Sequence, residues 1–195
     1  ASLRAHFGKV DPQAGPGLAE GVQKSFDAYS QAWTEGRQRL CRDSQSRGAQ
    51  QSRLLDLRTA CYEDRQRDLR ASLELLDDAD LKLVRKSSDL AQSLPGLEAC
   101  EDASALLAKV PLPEDPQTRR EVEALRAELS EGRALRQAGR MTEVQAFFEA
   151  RLEKARALDY APLTAEILDN LGHARGKTGN LKGAMEVLEE AVWAA

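Results

Sequence analysis

Two pairs of glycines set at one interval constrain this chain more than any other feature. Gly132 and Gly172 lie 40 residues apart, as do Gly139 and Gly179, and Ala134 with Ala174 and Phe148 with Leu188 keep the same register. Self-similarity at one period marks like units that bury their apolar faces against their neighbours. The last third is therefore expected to be four short helices of even length, over roughly 118 to 138, 141 to 158, 163 to 178 and 181 to 194, with the second glycine of each pair at the turn.

Upstream, the apolar spacing is helical but not repetitive. Leu18, Val22, Phe26, Tyr29, Trp33 and Leu40 recur at three, four or seven residues and predict one amphipathic helix to about residue 46, with Gly48 as its stop. A second helix from about 50 to 76 carries Leu54, Leu57, Cys61, Leu69, Leu73 and Leu76 on one side. The acids from Asp77 to Asp80 supply an N-cap for a third, with Leu81, Val84, Ser88 and Leu90 or Ala91 facing inward and Pro95-Gly96 ending it. Short connections make these an antiparallel three-helix unit. A helical turn near 103 to 108 follows. The breakers Gly8, Pro12, Gly15, Pro16 and Gly17 give residues 1–17 the character of a loop or frayed segment, and Pro111, Pro113 and Pro116 mark a stiff corner. The expected division is 1–17, a helical bundle region over 18–110, a Pro-rich corner over 111–117, and the paired helices of 118–195.

Charged residues are 31% and aromatics 5%, with helix formers dominant and β-branched residues scarce, so the expected class is all-α. The net charge of −4 comes from interleaved signs, as in Arg119-Arg120-Glu121, which argues against nucleic acid as a partner. The longest apolar run is Ala191 to Ala195, too short to span a bilayer, so no membrane insertion is expected. Both chain ends look like cuts in a longer polypeptide. Cys41, Cys61 and Cys100 show no zinc spacing and leave two readings open, buried thiols or one disulfide with a leftover thiol. Gly176-Lys177-Thr178 imitates a phosphate loop but has Leu171 where that loop needs glycine. His6 and His173 have no nucleophile placed beside them, and the Asp77 to Asp80 acids lack the glycine and glutamate of a calcium loop. No catalytic residue, cofactor or metal is expected.

The segment from Leu168 through Leu171-Gly172, Gly179, Ala184 and Leu188 to Ala191 resembles a tetratricopeptide repeat. The preceding copy, Leu125 to Tyr160, keeps Gly132 and Gly139 but has Glu131, Val144 and Arg151 where the motif prefers Leu, Ala and Ala. The fold this implies is an antiparallel three-helix unit followed by an α-α superhelix of tetratricopeptide-like helix pairs. The earlier residues, Trp33 to Cys41, Arg47 to Arg65 and Leu94 to Asp102, resemble the region C-terminal to the kinase domain in myxobacterial (Hanks-type) serine/threonine protein kinases. That resemblance implies a kinase domain, a transmembrane helix, this helical region beyond the inner membrane, and then a repeat array. The extracytoplasmic, periplasmic location favours a disulfide. We pair Cys61 with Cys100, because helices two and three of the unit should bring them to similar heights. Cys41, about a turn higher, is left for a partner upstream of this chain.

Stacked repeats present the inner face of their first helices to an extended peptide. Register places Leu129, Arg133 and Arg136 there from one copy and Asp169, Asn170 and His173 from the next. The expected function is a non-catalytic protein- or ligand-binding regulatory region of a bacterial receptor-like serine/threonine kinase. The alternative is a cytosolic tetratricopeptide scaffold or co-chaperone without a sensing role. The expected partner is a protein or peptide, with self-association through the last repeat a further outcome.

Overall fold

The computed structural model describes residues 2–43 and 49–194. Among them are nine α-helices and a single 3-10 turn, with no strand; the class is all-α. The chain divides into two compact units, Ala1–Lys109 and Val110–Ala195.

The first unit opens with a helix where a loop or frayed segment was expected. Helix α1, Leu3–Val10, is capped by the Ser2 hydroxyl, which accepts from Ala5 N, and its Phe7 is fully buried. Pro12 serves in the turn and Pro16 in the first turn of α2, Gly15–Asp43, positions where a missing N–H costs nothing. The Asp11 carboxylate fastens this corner by accepting from Ala14 N at 3.2 Å and pairing with Arg85 Nε at 3.0 Å. His6 Nε2–H donates to the Ala79 carbonyl at 3.0 Å. The breakers thus shape a corner between two helices. The stop expected at Gly48 lies outside the described residues.

Helix α3, Ala49–Asp77, returns along α2: Trp33 Nε1–H donates to the Tyr62 carbonyl at 2.7 Å, which places residues about equally far from the α2–α3 link side by side. Gly36 permits the approach, since any Cβ there would strike the Tyr62 hydroxyl. Helix α4, Leu81–Gln92, is capped by Asp80, which accepts from Leu83 N at 2.8 Å. A 3-10 turn, Glu98–Cys100, and α5, Ala103–Leu107, close the unit over a core of Leu40, Cys61, Tyr62, Cys100 and Leu106.

Two inward assignments change. Leu73 and Leu81 are 41% and 43% exposed, while Asp68, Ser72, Leu83 and Ser87 are buried. The inner row of α3 is partly polar, which hid it from an apolar pattern. It is tolerated because Ser72 Oγ–H donates to the Asp68 carbonyl at 2.9 Å and Asp68 lies 3.6 Å from Arg65.

The second unit contains two helix pairs, α6 (Pro116–Gln137) with α7 (Met141–Ala157), and α8 (Ala161–Lys177) with α9 (Leu181–Ala194). Asp115 caps α6 through Thr118 N at 2.7 Å, with Pro116 in the first helical turn. The 40-residue register recurs in bonds. Arg140 N donates to the Leu135 carbonyl and Asn180 N to the Arg175 carbonyl, each at 2.9 to 3.0 Å, around Gly139 at φ 75° and Gly179 at φ 91°. Those left-handed positions favour glycine. A Cβ on Gly132 would lie 2.6 Å from Phe148 Cζ, and one on Gly172 2.5 Å from Leu188 Cγ, so corresponding glycines admit corresponding side chains.

Candidate functional site

Helices α6 and α8 pack beside each other in the second unit. Their exposed edges carry opposite charges in two rungs one helical turn apart. Arg133 Nη1 lies 2.6 Å from Glu166 Oε1, and Arg136 Nη1 lies 3.9 Å from Asp169 Oδ2. Arg133 also donates through Nη2 to the Ser130 hydroxyl at 2.9 Å. The Arg133–Glu166 pair is half-buried, which reduces the solvent screening that makes exposed pairs weak.

Asn170 follows Asp169 on α8, just past the second rung, and is only 4% exposed. Its Nδ2–H donates to the Glu166 carbonyl at 2.7 Å, but its buried Oδ1 accepts from nothing. An unsatisfied buried acceptor costs about 1 to 3 kcal/mol, so the side chain is poorly accounted for by stability alone. One turn on, exposed His173 has its imidazole pKa lowered by partial burial and by the neighbouring charges of Arg136 and Lys177, with Asp169 opposing them. This favours the neutral ring.

Of the residues expected to form one groove, Arg133, Arg136, Asp169, Asn170 and His173 occupy this α6–α8 edge. Leu129 does not belong with them: it is fully buried and serves the core. The register carried it there because Asp169, its equivalent 40 residues on, is largely exposed, with a side-chain exposure of 65%. Ser130 and Glu166 were missed. Their contacts with Arg133 cross between turns or helices, and Glu166 sits 33 residues from its partner, so no local spacing announces it.

In the first unit, Cys61 and Cys100 form a disulfide across 5.5 Å between Cα atoms, while Cys41 stands outside it and is exposed. Glu101 gathers polar groups beside the bridge: it accepts from the Tyr62 hydroxyl at 2.6 Å and lies 3.8 Å from both Arg39 and Arg58. Burial first, and then Glu101, push the Tyr62 phenol up to about 12. Trp33, Arg37, Gln38 and Cys41 on α2 border an open hollow of about 440 Å³.

Among the described residues no three His, Cys, Asp or Glu side chains converge on a point that could hold a metal, and no helix is long and apolar enough to cross a membrane. The site that the side chains assemble is a self-neutralised polar edge with one unsatisfied buried acceptor. No protein-family model, curated protein or solved structure matches this sequence.

Proposed function

We propose that this chain is a non-catalytic binding region whose second unit is built of tetratricopeptide-like repeats and takes an extended peptide along the α6–α8 edge. The observation that carries the reading is the α6–α8 edge itself, where Arg136, Asp169 and exposed His173 present polar groups beside the Arg133–Glu166 pair. An extended peptide laid along this edge would exchange hydrogen bonds with these accessible polar groups. Because Arg133 and Arg136 already face Glu166 and Asp169, the edge suits a mixed polar peptide better than a strongly acidic one.

The wider setting we infer is the extracytoplasmic part of a receptor-like serine/threonine kinase, with the kinase activity in the parent protein. The Cys61–Cys100 disulfide supports an oxidising compartment over the cytosolic scaffold reading. Peptides selected from an unbiased display library test the binding role. Wild type should bind a selected peptide, and Arg133→Ala with Asn170→Ala should weaken it by about tenfold or more. Unchanged affinity in that double variant would remove the site.

A further inference from the structure

Helix α9 leaves a row of large apolar side chains in solvent. Leu181 is 68% exposed, Met185 67%, Leu188 38% and Val192 74%, and Trp193 beside them reaches 88%. Their spacing of four, three and four residues places the first four on one line along the helix, as in a coiled-coil seam. The equivalent positions of α7 are Met141, Gln145, Phe148 and Leu152; Phe148 is buried against Gly132 of α6, as Leu188 reaches Gly172 of α8, and Leu152 is buried as well, whereas its equivalent Val192 stands in solvent. Leu181, Met185 and Val192 are thus left uncovered, and Leu188, which packs on α8 from one side, offers its other side to the same face.

We infer that this face is covered by α9 of a second copy of the chain, in an antiparallel two-fold pair. Three observations select that occupant. The spacing reads the same in both directions, so with the axis midway between Met185 and Leu188, Leu181 meets the second copy's Val192 and Met185 meets its Leu188. The flanking charges also match. Lys182 and Glu189 lie seven residues apart on one edge of the row, and antiparallel pairing sets each Lys182 opposite the other copy's Glu189, twice by symmetry. Glu190 is turned away in its bond to Arg156 at 2.6 Å, and the other edge carries only Ala184 and Ala191. Finally, head-to-tail stacking on α6 is blocked. Where α8 has buried Leu163, Leu168 and Leu171, the 40-residue register gives α6 the exposed Glu123, Glu128 and Glu131.

This interface is separate from the α6–α8 edge and does not depend on it. A single helix pair is small for a stable interface, so the association is weak and reversible. The test is sedimentation velocity on the full chain with Cys41→Ser, which excludes a disulfide-linked dimer, from about 5 µM to about 500 µM. A monomer–dimer equilibrium is expected. Met185→Glu with Val192→Glu, both at exposed positions, should leave the helical circular dichroism unchanged and abolish the dimer. Lys182→Glu or Glu189→Lys alone should weaken it by roughly five- to tenfold, and the two together should restore it. A monomer throughout the range overturns the proposal and leaves the face to a helix of another protein. A dimer that survives Met185→Glu with Val192→Glu overturns it as well, and failure of the charge exchange to restore association overturns the antiparallel pairing.

Discussion

Asn170 and His173 are where single side chains say most about what this molecule does. Replacing Asn170 by Leu removes the unsatisfied acceptor and the donor to Glu166 together, and fills the same buried space with carbon. We expect stability to stay level or rise by up to about 1 kcal/mol in urea unfolding. A large loss of stability would show that Asn170 is structural. For His173, burial and nearby cations lower the folded-state pKa, so the folded state resists protonation more than the unfolded chain does. Its contribution is present above the ordinary histidine value of about 6.5 and declines as pH falls through the folded-state value. His173→Gln should flatten the pH dependence of the thermal midpoint below that point. Leu129 marks the limit of reading a site from register, since neither the repeat nor its residue type told which edge of α6 faces the core.

At the scale of elements, the helix pairs of the second unit were legible because turn chemistry and packing agree at one period. The boundaries of α6 through α9 lie within two residues of those expected, and Gly139 and Gly179 both adopt positive φ. Gly132→Ala tests the close approach. The added methyl meets Phe147 and Phe148 at 2.6 to 2.7 Å, so a destabilisation of about 1 to 3 kcal/mol is expected in denaturant unfolding. Helix α1 was illegible for a different reason. Glycines and prolines predict breaks, but tertiary bonds from His6 and Asp11 hold the segment against the body of the first unit. The Asp11 carboxyl is held below its ordinary value chiefly by the Ala14 amide and then by Arg85; Asp102 and Asp115 are lowered in the same way by Ser104 and Thr118. Such groups stabilise the fold fully above the unfolded carboxyl value of about 3.9 and stop doing so as pH falls through their folded values. Asp11→Asn should reduce the loss of thermal stability on acidification through that range.

For the whole molecule, the disulfide connects the fold of the first unit to the oxidising compartment proposed for it. It closes 39 residues between α3 and the turn before α5, within the core that holds Tyr62 and Leu106. Replacing Cys61 and Cys100 by Ala should lower the unfolding free energy of the first unit by about 2 to 5 kcal/mol. Intact mass before and after reduction and alkylation, on protein made in an oxidising compartment, should reveal one bridge; three alkylatable thiols without reduction would favour the cytosolic scaffold. Sequence reached this level unevenly. Helical periodicity specifies the all-α class, and the Cys61–Cys100 pairing expected from the family resemblance is the one the structure has, whereas the meeting of Arg133 with Glu166 depends on how separate helices stack. The central claim is that the α6–α8 edge receives a peptide. Amide chemical shifts of the isotopically labelled chain, followed as a library-selected peptide is titrated in, test it most directly. The account predicts that the changes concentrate at Ser130, Arg133, Arg136, Glu166, Asp169, Asn170 and His173; changes confined to the first unit or to α9 would contradict it.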